Sequence, residues 1–433
     1  MKLKNKNVLV YGLGDSGRAV IKVLHSMGAH VSFYDDNIKY FEYVGFERNP
    51  QDKFYDYVIV SPGIKVLGNS LLQTFKEKNI EVMSELDFAY LHSKGKIIAI
   101  TGTNGKTTAS MLVSKILRAA GRKAFLCGNI GLPFSSVCQK TTKDSIVVCE
   151  VSNFQLETSK YFRANIACIL NVKPDHLDRH GSFEEYKRIK SKIAENLKKK
   201  DLLILNFDDN EAKKMIMHKN YSFFSKQLLK KGIYCKNNQI YLNKKPLVSL
   251  NCVKLKGEKN LENVLAALSV CSNFKVSNYV YENVLASFVP AAHRMEKIGK
   301  VDGVVYIDDS KATNVASTIA CVETFKDKSI FLLMGGQGKD INYDEIFSLG
   351  FVLKKVICFG QDRDNIFLSA KKFGYAVELC EKFDDAVYFC KQNAVKGDYV
   401  LLSPACASFD EFSSYAERGE RFKSLILEKN YEK

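Results

Sequence analysis

Short runs of apolar residues alternate with polar stretches of helical length along most of the chain. In the first half these runs occupy residues 8–11, 31–34, 57–60, 97–100, 146–149, 166–170 and 202–205. A later series occupies residues 304–307, 330–334, 356–359 and 399–402. Buried strands that alternate with helices are typical of βα units, so the pattern predicts an α/β protein with mostly parallel sheets. Ligand sites are then expected at the C-terminal ends of the strands.

The chain divides into three parts on the same pattern. Its 433 residues are too many for one hydrophobic core. A new βα series begins at residues 94–96, and a third follows the turn at residues 290–294. We therefore predict domains at 1–93, 94–297 and 298–433. Residues 225–256, rich in lysine and asparagine, indicate an irregular β excursion within the middle domain.

Composition and charge narrow the class of protein. The net charge of +16 favours anionic partners, but the 64 lysines and arginines are spread along the chain. No nucleic-acid recognition module is visible, so we expect no nucleic-acid partner. The 12 cysteines include no CxxC pair, which argues against zinc and a disulfide framework. Without a signal peptide or an apolar run of spanning length, we expect a cytoplasmic protein that binds no membrane.

A glycine-rich turn follows the first predicted strand. Gly12, Gly14 and Gly17 have the GxGxxG spacing before a helix, and Asp35 ends the next strand. Such glycines let backbone N–H groups approach a diphosphate, and the acid can accept hydrogen bonds from sugar hydroxyls. NAD, FAD or another nucleotide diphosphate would each satisfy the pattern, and a turn without a ligand is the alternative.

A second phosphate-type turn lies in KIIAITGTNGKTTASMLVSKILRAAG, residues 96–121. Gly105, Lys106 and Thr107 match the end of a P-loop, although Ile100 stands where the strict pattern has glycine. We expect Lys106 to bind the β and γ phosphates of ATP and the Thr107 hydroxyl to bind Mg²⁺. A chance Gly-Lys-Thr in an ordinary turn is the alternative. Two nucleotide-type loops in one chain favour a transferase or ligase over a simple ATPase.

Polar side chains follow the next two strands of the middle domain. Glu150 ends one strand beside the P-loop, where a carboxylate would meet Mg²⁺, and a solvated strand-end acid is the alternative. The next strand is followed by two acids, two histidines and an arginine within residues 175–180. Lys190 lies farther on in a basic helix, and the residues alone predict a solvated surface charge there.

Three polar loops follow three predicted strands of the third domain. They are DDSKATN at 308–314, GGQGK at 335–339 and SPACAS at 403–408. Loops after parallel strands meet at one edge of a sheet, so the pattern predicts a built site. Lys311 and Lys339 are positioned to meet an anion there.

Together these strings resemble the Mur ligase family along the whole chain. The matching strings are GTNGKTT, EVSNFQLE, NVKPDHLDRHGSFEEYKRIK, NLENVLAAL, AAHRME, DDSKATN, GGQGKD and SPACASFDEF. SPACAS is similar to the branch that adds D-glutamate. The DNPR-like motif of the branch that adds diaminopimelate or lysine is absent from the sequence.

The resemblance implies an ATP-dependent amide ligase of three domains. A Rossmann-like N-terminal domain would bind the uridine diphosphate of a sugar nucleotide, a P-loop-type central domain would bind ATP, and a Rossmann-like C-terminal domain would bind D-glutamate. The implied reaction joins D-glutamate to UDP-N-acetylmuramoyl-L-alanine through an acyl phosphate in peptidoglycan precursor synthesis, and we expect a monomer. A family member that adds another amino acid is one alternative. A nicotinamide-dependent oxidoreductase is the alternative from another class.

The resemblance also implies roles for individual residues. Ligands of two Mg²⁺ ions fall on Thr107, Glu150, His176 and Lys190, the last as a carbamate. Catalytic roles fall on Lys106, His176, Lys190 and Lys311. ATP contacts fall on Gly102, Thr103, Asn104, Gly105, Lys106, Thr107, Thr108, Asn260, Asn263, Arg294 and Asp309. Sugar-nucleotide contacts fall on Gly14, Asp15, Ser16, Asp35 and Asn129, and D-glutamate contacts on Lys311, Thr313, Lys339, Ser408, Phe409 and Tyr415.

Two positions depart from the family pattern. Lys259 stands where many relatives carry histidine before the first asparagine of the NLEN string. Asp36, beside Asp35, adds negative charge near the expected uridine end of the first loop.

Overall fold

A four-stranded parallel sheet opens the chain in the computed structural model, which describes residues 2–37, 45–255, 257–338 and 341–428. Its strands are β1 (Asn7–Tyr11), β2 (His30–Tyr34), β3 (Tyr57–Val60) and β4 (Glu81–Ser84). Their order in the sheet is β2-β1-β3-β4. Its helices are α1 (Asp15–Ser26), α2 (Ser70–Glu77) and α3 (Glu85–His92).

A nine-stranded sheet forms the middle of the chain. Its strands are β5 (Lys96–Thr101), β6 (Ala124–Gly128), β7 (Ile146–Glu150), β8 (Ile166–Ile169), β9 (Leu202–Asn206), β10 (Tyr221–Ser225), β11 (Ile233–Lys236), β12 (Gln239–Leu242) and β13 (Lys245–Ser249). The order is β13-β12-β11-β10-β9-β8-β5-β7-β6, parallel except where β12 pairs with β11 and β13. Its helices are α4 (Lys106–Ala119), α5 (Ser135–Cys138), α6 (Asn153–Glu157), α7 (Leu177–His180), α8 (Phe183–Ser191), α9 (Glu258–Cys271) and α10 (Asn278–Ser287).

Apolar side chains cover both faces of this sheet around β5. Ile98 and Ile100 pack in one cluster with Leu112 of α4, while Ile97 and Ala99 belong to the cluster on the other face. Alternate residues of a strand point to opposite faces, which explains the split. The turn after β5 is therefore carried by a strand that is buried on both sides.

A six-stranded sheet forms the last part of the chain. Its strands are β14 (Glu296–Val301), β15 (Val304–Asp308), β16 (Ile330–Gly335), β17 (Lys355–Phe359), β18 (Val377–Leu379) and β19 (Tyr399–Ala405). The order is β14-β15-β19-β16-β17-β18, and among the described strands of this sheet only β14 runs antiparallel to its neighbour. Its helices are α11 (Val315–Thr324), α12 (Asp344–Phe347), α13 (Arg363–Lys372), α14 (Phe383–Asn393) and α15 (Tyr415–Leu427).

The predicted α/β class with mostly parallel sheets is confirmed, and every strand predicted from an apolar run is present. The predicted β excursion at 225–256 contains β11, β12 and β13, which extend the middle sheet. The chain forms two compact units, one of Met1–Leu255 with Asn260–Phe288 and one of Lys256–Lys259 with Val289–Lys433. The domain boundaries near residues 93 and 297 stay predictions. Within the described ranges, every helix is too short or too polar to cross a membrane.

Candidate active site

The P-loop connects β5 to α4. Gly105 precedes the helix with φ +83°, in the left-handed region that favours glycine. A Cβ on Gly105 would lie 2.1 Å from Oδ1 of Asn263 on α9, so only glycine allows this approach. The Lys106 ammonium donates to the carbonyl oxygens of Gly102 and Thr103, at 2.8 Å from each. The charge of Lys106 therefore lies against the loop itself.

The segment after β8 holds the P-loop in place. The Asn171 side chain accepts from the Asn104 N–H at 2.9 Å and donates to the Asn104 carbonyl at 3.1 Å. The Thr103 N–H donates to the Asn171 carbonyl at 3.0 Å, and the Thr103 hydroxyl lies 2.9 Å from the Tyr186 hydroxyl. These bonds fix the loop before a ligand binds, which is the preorganisation that electrostatic catalysis uses.

Glu150 lies buried at the end of β7. Its Oε1 accepts from Asn129 Nδ2 at 2.9 Å, while its Oε2 has no hydrogen-bond partner among the described residues. The Asn129 N–H also donates to the Glu150 carbonyl, at 2.9 Å. A buried carboxylate oxygen without a donor is costly unless a cation or a proton faces it. The alternative of a solvated strand-end acid is therefore wrong.

Lys190 is fully buried on α8. Its Nζ lies 4.7 Å from the centre of the Tyr186 ring and, in the described part of the chain, has no hydrogen-bond partner. Burial first and the charge of Lys106 second hold the pKa of Lys190 well below the usual lysine range, while Asp175 opposes them. The prediction of a solvated surface charge at Lys190 is wrong, because the helix turns this residue into the protein.

His176 and the two threonines of the P-loop complete the predicted metal and phosphate set. His176 precedes α7 with φ +53°, and its ring centre lies 4.7 Å from that of Phe154. Its Nε2 lies 3.7 Å from a carboxylate oxygen of Asp175. Thr107 and Thr108 are buried in the first turn of α4.

Neighbouring strands bring these residues to one edge of the sheet. β5 pairs with β7 on one side and with β8 on the other, so the P-loop, Glu150 and the segment with His176 follow adjacent strands. The glycine turn, the Lys106 charge and the Glu150 oxygen, which no described residue pairs, fit an Mg²⁺-nucleotide, because hard cations take oxygen ligands. The residues that are present therefore fit the ligands that the sequence predicts.

The first glycine loop connects β1 to α1. Gly12 has φ +97°, and a Cβ on Gly17 would lie 1.8 Å from the Gly12 carbonyl oxygen. Gly14 is the N-cap of α1. Because glycine has no side chain, it caps none of the first N–H groups of the helix, which lie around Asp15 and Ser16. Backbone N–H groups at such a helix start can donate hydrogen bonds to an anion.

Asp35 and Asp36 support this loop from the end of β2. Asp35 Oδ2 accepts from the Leu13 N–H at 2.6 Å, and Oδ1 accepts from the Asn37 N–H at 2.8 Å. The Tyr11 hydroxyl donates to the Asp36 carboxylate, at 2.9 Å from the nearer oxygen. Asp35 thus fixes the backbone of the loop that it was predicted to serve.

Two predicted nucleotide contacts lie on α9. Asn263 is buried against Gly105, as described above, while Asn260 is partly exposed one turn earlier on the same helix. Lys259, which replaces the histidine of many relatives, is exposed.

Arg294 and Asp309 lie in the second unit. The Asp309 carboxylate is buried and accepts from the Met295 N–H at 3.1 Å and from the Ser403 hydroxyl at 3.0 Å. Burial raises the pKa of Asp309 to about 7, and the Arg294 charge is the largest opposing effect. Nε of Arg294 is buried without a hydrogen-bond partner among the described residues.

Two of the residues predicted to approach D-glutamate meet in the second unit. The Lys311 ammonium lies 5.2 Å from the centre of the Tyr415 ring, within the range of a cation–π contact. The others are Thr313 and Phe409, which are exposed, Ser408, which is buried, and Lys339, which lies outside the described residues.

Arg418 on α15 is a buried residue that the sequence did not single out. Its guanidinium donates to the carbonyl oxygens of Ser310, Gly335, Cys406 and Ala407, and to the Ser310 hydroxyl. Those residues belong to the three polar loops after β15, β16 and β19. One planar donor therefore holds all three loops together. In the sequence, an arginine among charged helix residues indicates a surface position, so no sequence feature could have identified Arg418 as buried.

The fold and these two loops define a nucleotide-binding α/β protein, and family models agree. The model of the Mur ligase middle domain matches residues 100–271, and the model of the Mur ligase glutamate ligase domain matches residues 293–406. UDP-N-acetylmuramoylalanine--D-glutamate ligase of Thermoanaerobacter sp. (strain X514) is 38% identical over 99% of both chains. The ligase of the same name from Streptococcus agalactiae is 33% identical and covers 97% of this chain. The chain belongs to the Mur ligase family.

Solved structures show the same fold at lower identity. The MurF ligase of Thermotoga maritima, in complex with ADP, has a TM-score of 0.62 and 18% identity, over 98% of this chain and 95% of that one. A pseudomurein peptide ligase type C from Methanothermus fervidus has a TM-score of 0.63 and 20% identity, over 98% of this chain and 99% of that one. The nicotinamide-dependent oxidoreductase is not favoured, because Mur ligase models match where the P-loop and the third domain were predicted.

Proposed function

We propose that this chain is an ATP-dependent ligase that joins D-glutamate to UDP-N-acetylmuramoyl-L-alanine in peptidoglycan precursor synthesis. Relatives with that name match it over full length. The observation that carries the proposal is a buried Glu150 oxygen that has no hydrogen-bond partner in the described part of the chain, at the same sheet edge as the P-loop of Lys106. We further expect the enzyme to act in the cytoplasm as a monomer.

The reaction has two chemical steps. An oxygen of the L-alanine carboxylate attacks the γ phosphorus of ATP, so that an acyl phosphate forms and ADP leaves. The neutral amine of D-glutamate then attacks the acyl carbon, phosphate leaves, and the nitrogen loses a proton as the amide forms. Lys106, already fixed against the loop, would stabilise the charge that develops on the transferred phosphoryl group. Asn129, held by Glu150, is the proposed contact to the muramoyl group.

Mg²⁺, when bound, neutralises phosphate charge and orients the phosphates. We assign Thr107, Glu150, His176 and Lys190 as the residues that would hold two such ions. Burial leaves Glu150 Oε2 without another donor in the described ranges, and this supports its assignment.

We also propose that Lys190 carries a carbamate. Its neutral amine would add to CO₂ and lose a proton, which gives an N-linked carboxylate. The complete burial of Nζ and the lack of a hydrogen-bond partner among the described residues support this, because a buried ammonium would be left uncompensated. The carbamate would turn an isolated amine into an oxygen ligand.

In the second unit, we propose that Arg294 and Asp309 contact the nucleotide and that Lys311 and Tyr415 contact D-glutamate, together with Thr313, Lys339, Ser408 and Phe409. The contact of Lys311 with Tyr415 supports a shared role for those two side chains. Lysine is a suitable partner for the carboxylates of an acidic amino acid.

Phosphate release from ATP tests this function directly. The assay contains UDP-N-acetylmuramoyl-L-alanine and receives D-glutamate, L-glutamate, diaminopimelate or L-lysine in turn. We expect release with D-glutamate alone. Release only with another amino acid would keep the chemistry but assign the chain to a different branch of the family.

A further inference from the structure

Arg179 on α7 bridges α6 and the turn after β3 within the first unit. Its guanidinium donates to Glu157 Oε2 from Nε at 3.0 Å and from Nη2 at 2.6 Å. Nη2 also donates to the carbonyl oxygens of Pro62 at 3.2 Å and Ile64 at 2.8 Å. The side chains of Arg179 and Glu157 are only 12% and 10% exposed, so water screens this pair weakly. One side chain thus bonds both α6 and the turn after β3.

The turn at residues 61–64 packs directly on the first glycine loop. The Ser61 hydroxyl donates to the Gly12 carbonyl at 2.7 Å. A Cβ on Gly12 would lie 2.7 Å from Ser61 Cβ and 3.0 Å from Ile64 Cγ1. Because loop and turn touch at van der Waals distance, a displacement of the turn would displace the loop.

On its other side, Arg179 is fixed to the edge of the middle sheet. The Phe154 ring lies over the guanidinium, with 4.2 Å between the ring centre and Cζ. The same ring meets the His176 ring edge-on, at 4.7 Å between centres. The charge of Glu157 and the stacking therefore hold the Arg179 head group against Phe154, and the Phe154 ring in turn contacts His176.

We propose that Arg179 is a positioning residue that holds the 61–64 turn, and with it the first glycine loop, at a fixed distance from the P-loop edge. This inference rests on the proposed function, in which a sugar nucleotide at the first loop presents its carboxylate to ATP at the second. Reacting atoms must approach to about 3–3.5 Å, and a misplacement of about 1 Å can cost about a hundredfold in rate. The planar guanidinium of arginine presents its N–H donors to a carboxylate and carbonyls in a fixed fork geometry, which the compact ammonium of lysine does not reproduce.

Kinetics of Arg179→Met and Arg179→Lys test the proposal, with Arg188→Met as the matched control. Arg188 borders the same cavity of about 610 Å³ as Arg179, but within the described residues its guanidinium donates to Glu185. We expect Arg179→Met to lower kcat about tenfold to a hundredfold and Arg179→Lys to restore little of it. The dissociation constants of ATP alone and of UDP-N-acetylmuramoyl-L-alanine alone should change less than about threefold. Arg188→Met should keep the wild-type kcat.

Hydrogen exchange gives a second readout that needs no substrate. In Arg179→Met, exchange at the amides of Ser61, Gly63 and Ile64 should become faster, while exchange at the P-loop amides of residues 102–108 stays unchanged. Glu157→Gln keeps the shape of the acceptor and removes its charge, so it should show the same local change if Arg179→Met fails to fold.

Three results would overturn the positioning role. They are an unchanged kcat, unchanged exchange at residues 61–64, and a weakening of ATP binding alone that matches the loss of kcat. The last would show general disruption of the unit instead of misplacement. A wild-type enzyme that releases no phosphate with D-glutamate would contradict the proposed function, and the exchange experiment would still decide the role of Arg179.

Discussion

The isolation of Lys190 inside the first unit gives the sharpest expectation for a single residue. If its carbamate holds a cation, Lys190→Ala should lower the rate of phosphate release by about 10² to 10³, the usual cost of one preorganised electrostatic partner. Acetate or formate should restore part of the rate, because a small carboxylate can enter the space that the side chain leaves. The measurement is phosphate release with increasing acetate at saturating substrates.

The matched control for Lys190→Ala is Arg188→Ala. Both residues lie on α8, but Arg188 is exposed and pairs with Glu185 one turn away. It should keep the wild-type rate and show no response to acetate. A Lys190→Ala enzyme that acetate leaves unchanged would argue against the carbamate.

The raised pKa of Asp309 predicts that the stability of the folded protein depends on pH. Burial raises the pKa of Asp309 from 3.8 to about 7 in the folded protein. At a pH between these two values, the carboxyl group is protonated in the folded state and ionised in the unfolded state. The stability contribution of Asp309 therefore falls as pH rises from about 4 to about 7. Asp309→Asn removes this titration. Its melting temperature, relative to wild type, should rise steadily over that pH range, and a constant difference would contradict the raised pKa.

Single residues also show where sequence reasoning reaches its limit. Lys106 and Glu150 could be predicted because a short loop and a strand end place them by connectivity alone. Lys190 and Arg418 could not, because the sequence of a helix does not say which charged side chain the tertiary packing will bury. Both lie among charged neighbours that do face solvent. Only the family resemblance indicated a buried role for Lys190, and no feature of the sequence indicated that Arg418 is buried.

The P-loop packs directly against α9 at Gly105, so a change at this contact should affect both elements. In Gly105→Ala, the new Cβ would meet Asn263 and the backbone would be held at a strained positive φ. The loop must then move, so we expect ATP binding to weaken at least about tenfold, an energy of about 1.4 kcal/mol. Isothermal titration of the variant with an ATP analogue measures this. Binding of UDP-N-acetylmuramoyl-L-alanine should stay unchanged, and its loss would indicate collapse of the unit.

Gly121→Ala is the matched control at the other end of α4. Gly121 has φ +74°, comparable with Gly105, but a Cβ there would meet no atom of the described residues within 4 Å. It should cost about 1 kcal/mol of stability from backbone strain and leave ATP binding intact. Equal loss of ATP binding in both variants would mean that strain in α4, and not the contact with Asn263, explains the effect.

At the level of elements, strand prediction depended on position within the sheet. Central strands such as β5 and β16 are buried on both faces, so their sequences are continuous apolar runs that periodicity detects. The strands that the sequence did not predict outside 225–256 are β4, β6, β10, β14 and β18, and all of them except β10 lie at a sheet edge. Edge strands are short or half-solvated, so their sequences lack such a run. The order of strands also could not be derived, because it depends on packing between distant segments.

The net charge of +16 is a property of the whole molecule, and all three proposed substrates are anions. A positive field attracts them over distances comparable with the Debye length, which shortens about threefold between about 20 mM and 200 mM salt. Encounter with the sugar nucleotide should therefore be faster at low salt. The proposed chemical steps would take place among buried groups such as Glu150 and Lys190, which salt screens much less.

Steady-state kinetics separate these two effects. At fixed free Mg²⁺, raising KCl from about 20 mM to 200 mM should lower kcat/KM for UDP-N-acetylmuramoyl-L-alanine several-fold, while kcat at saturation should fall less than about twofold. Sodium acetate at the same ionic strength should act like KCl, because screening depends on ionic strength and not on the identity of the ion. If kcat falls in parallel with kcat/KM, salt acts on the site itself, and the charge of the whole molecule does not steer the substrate.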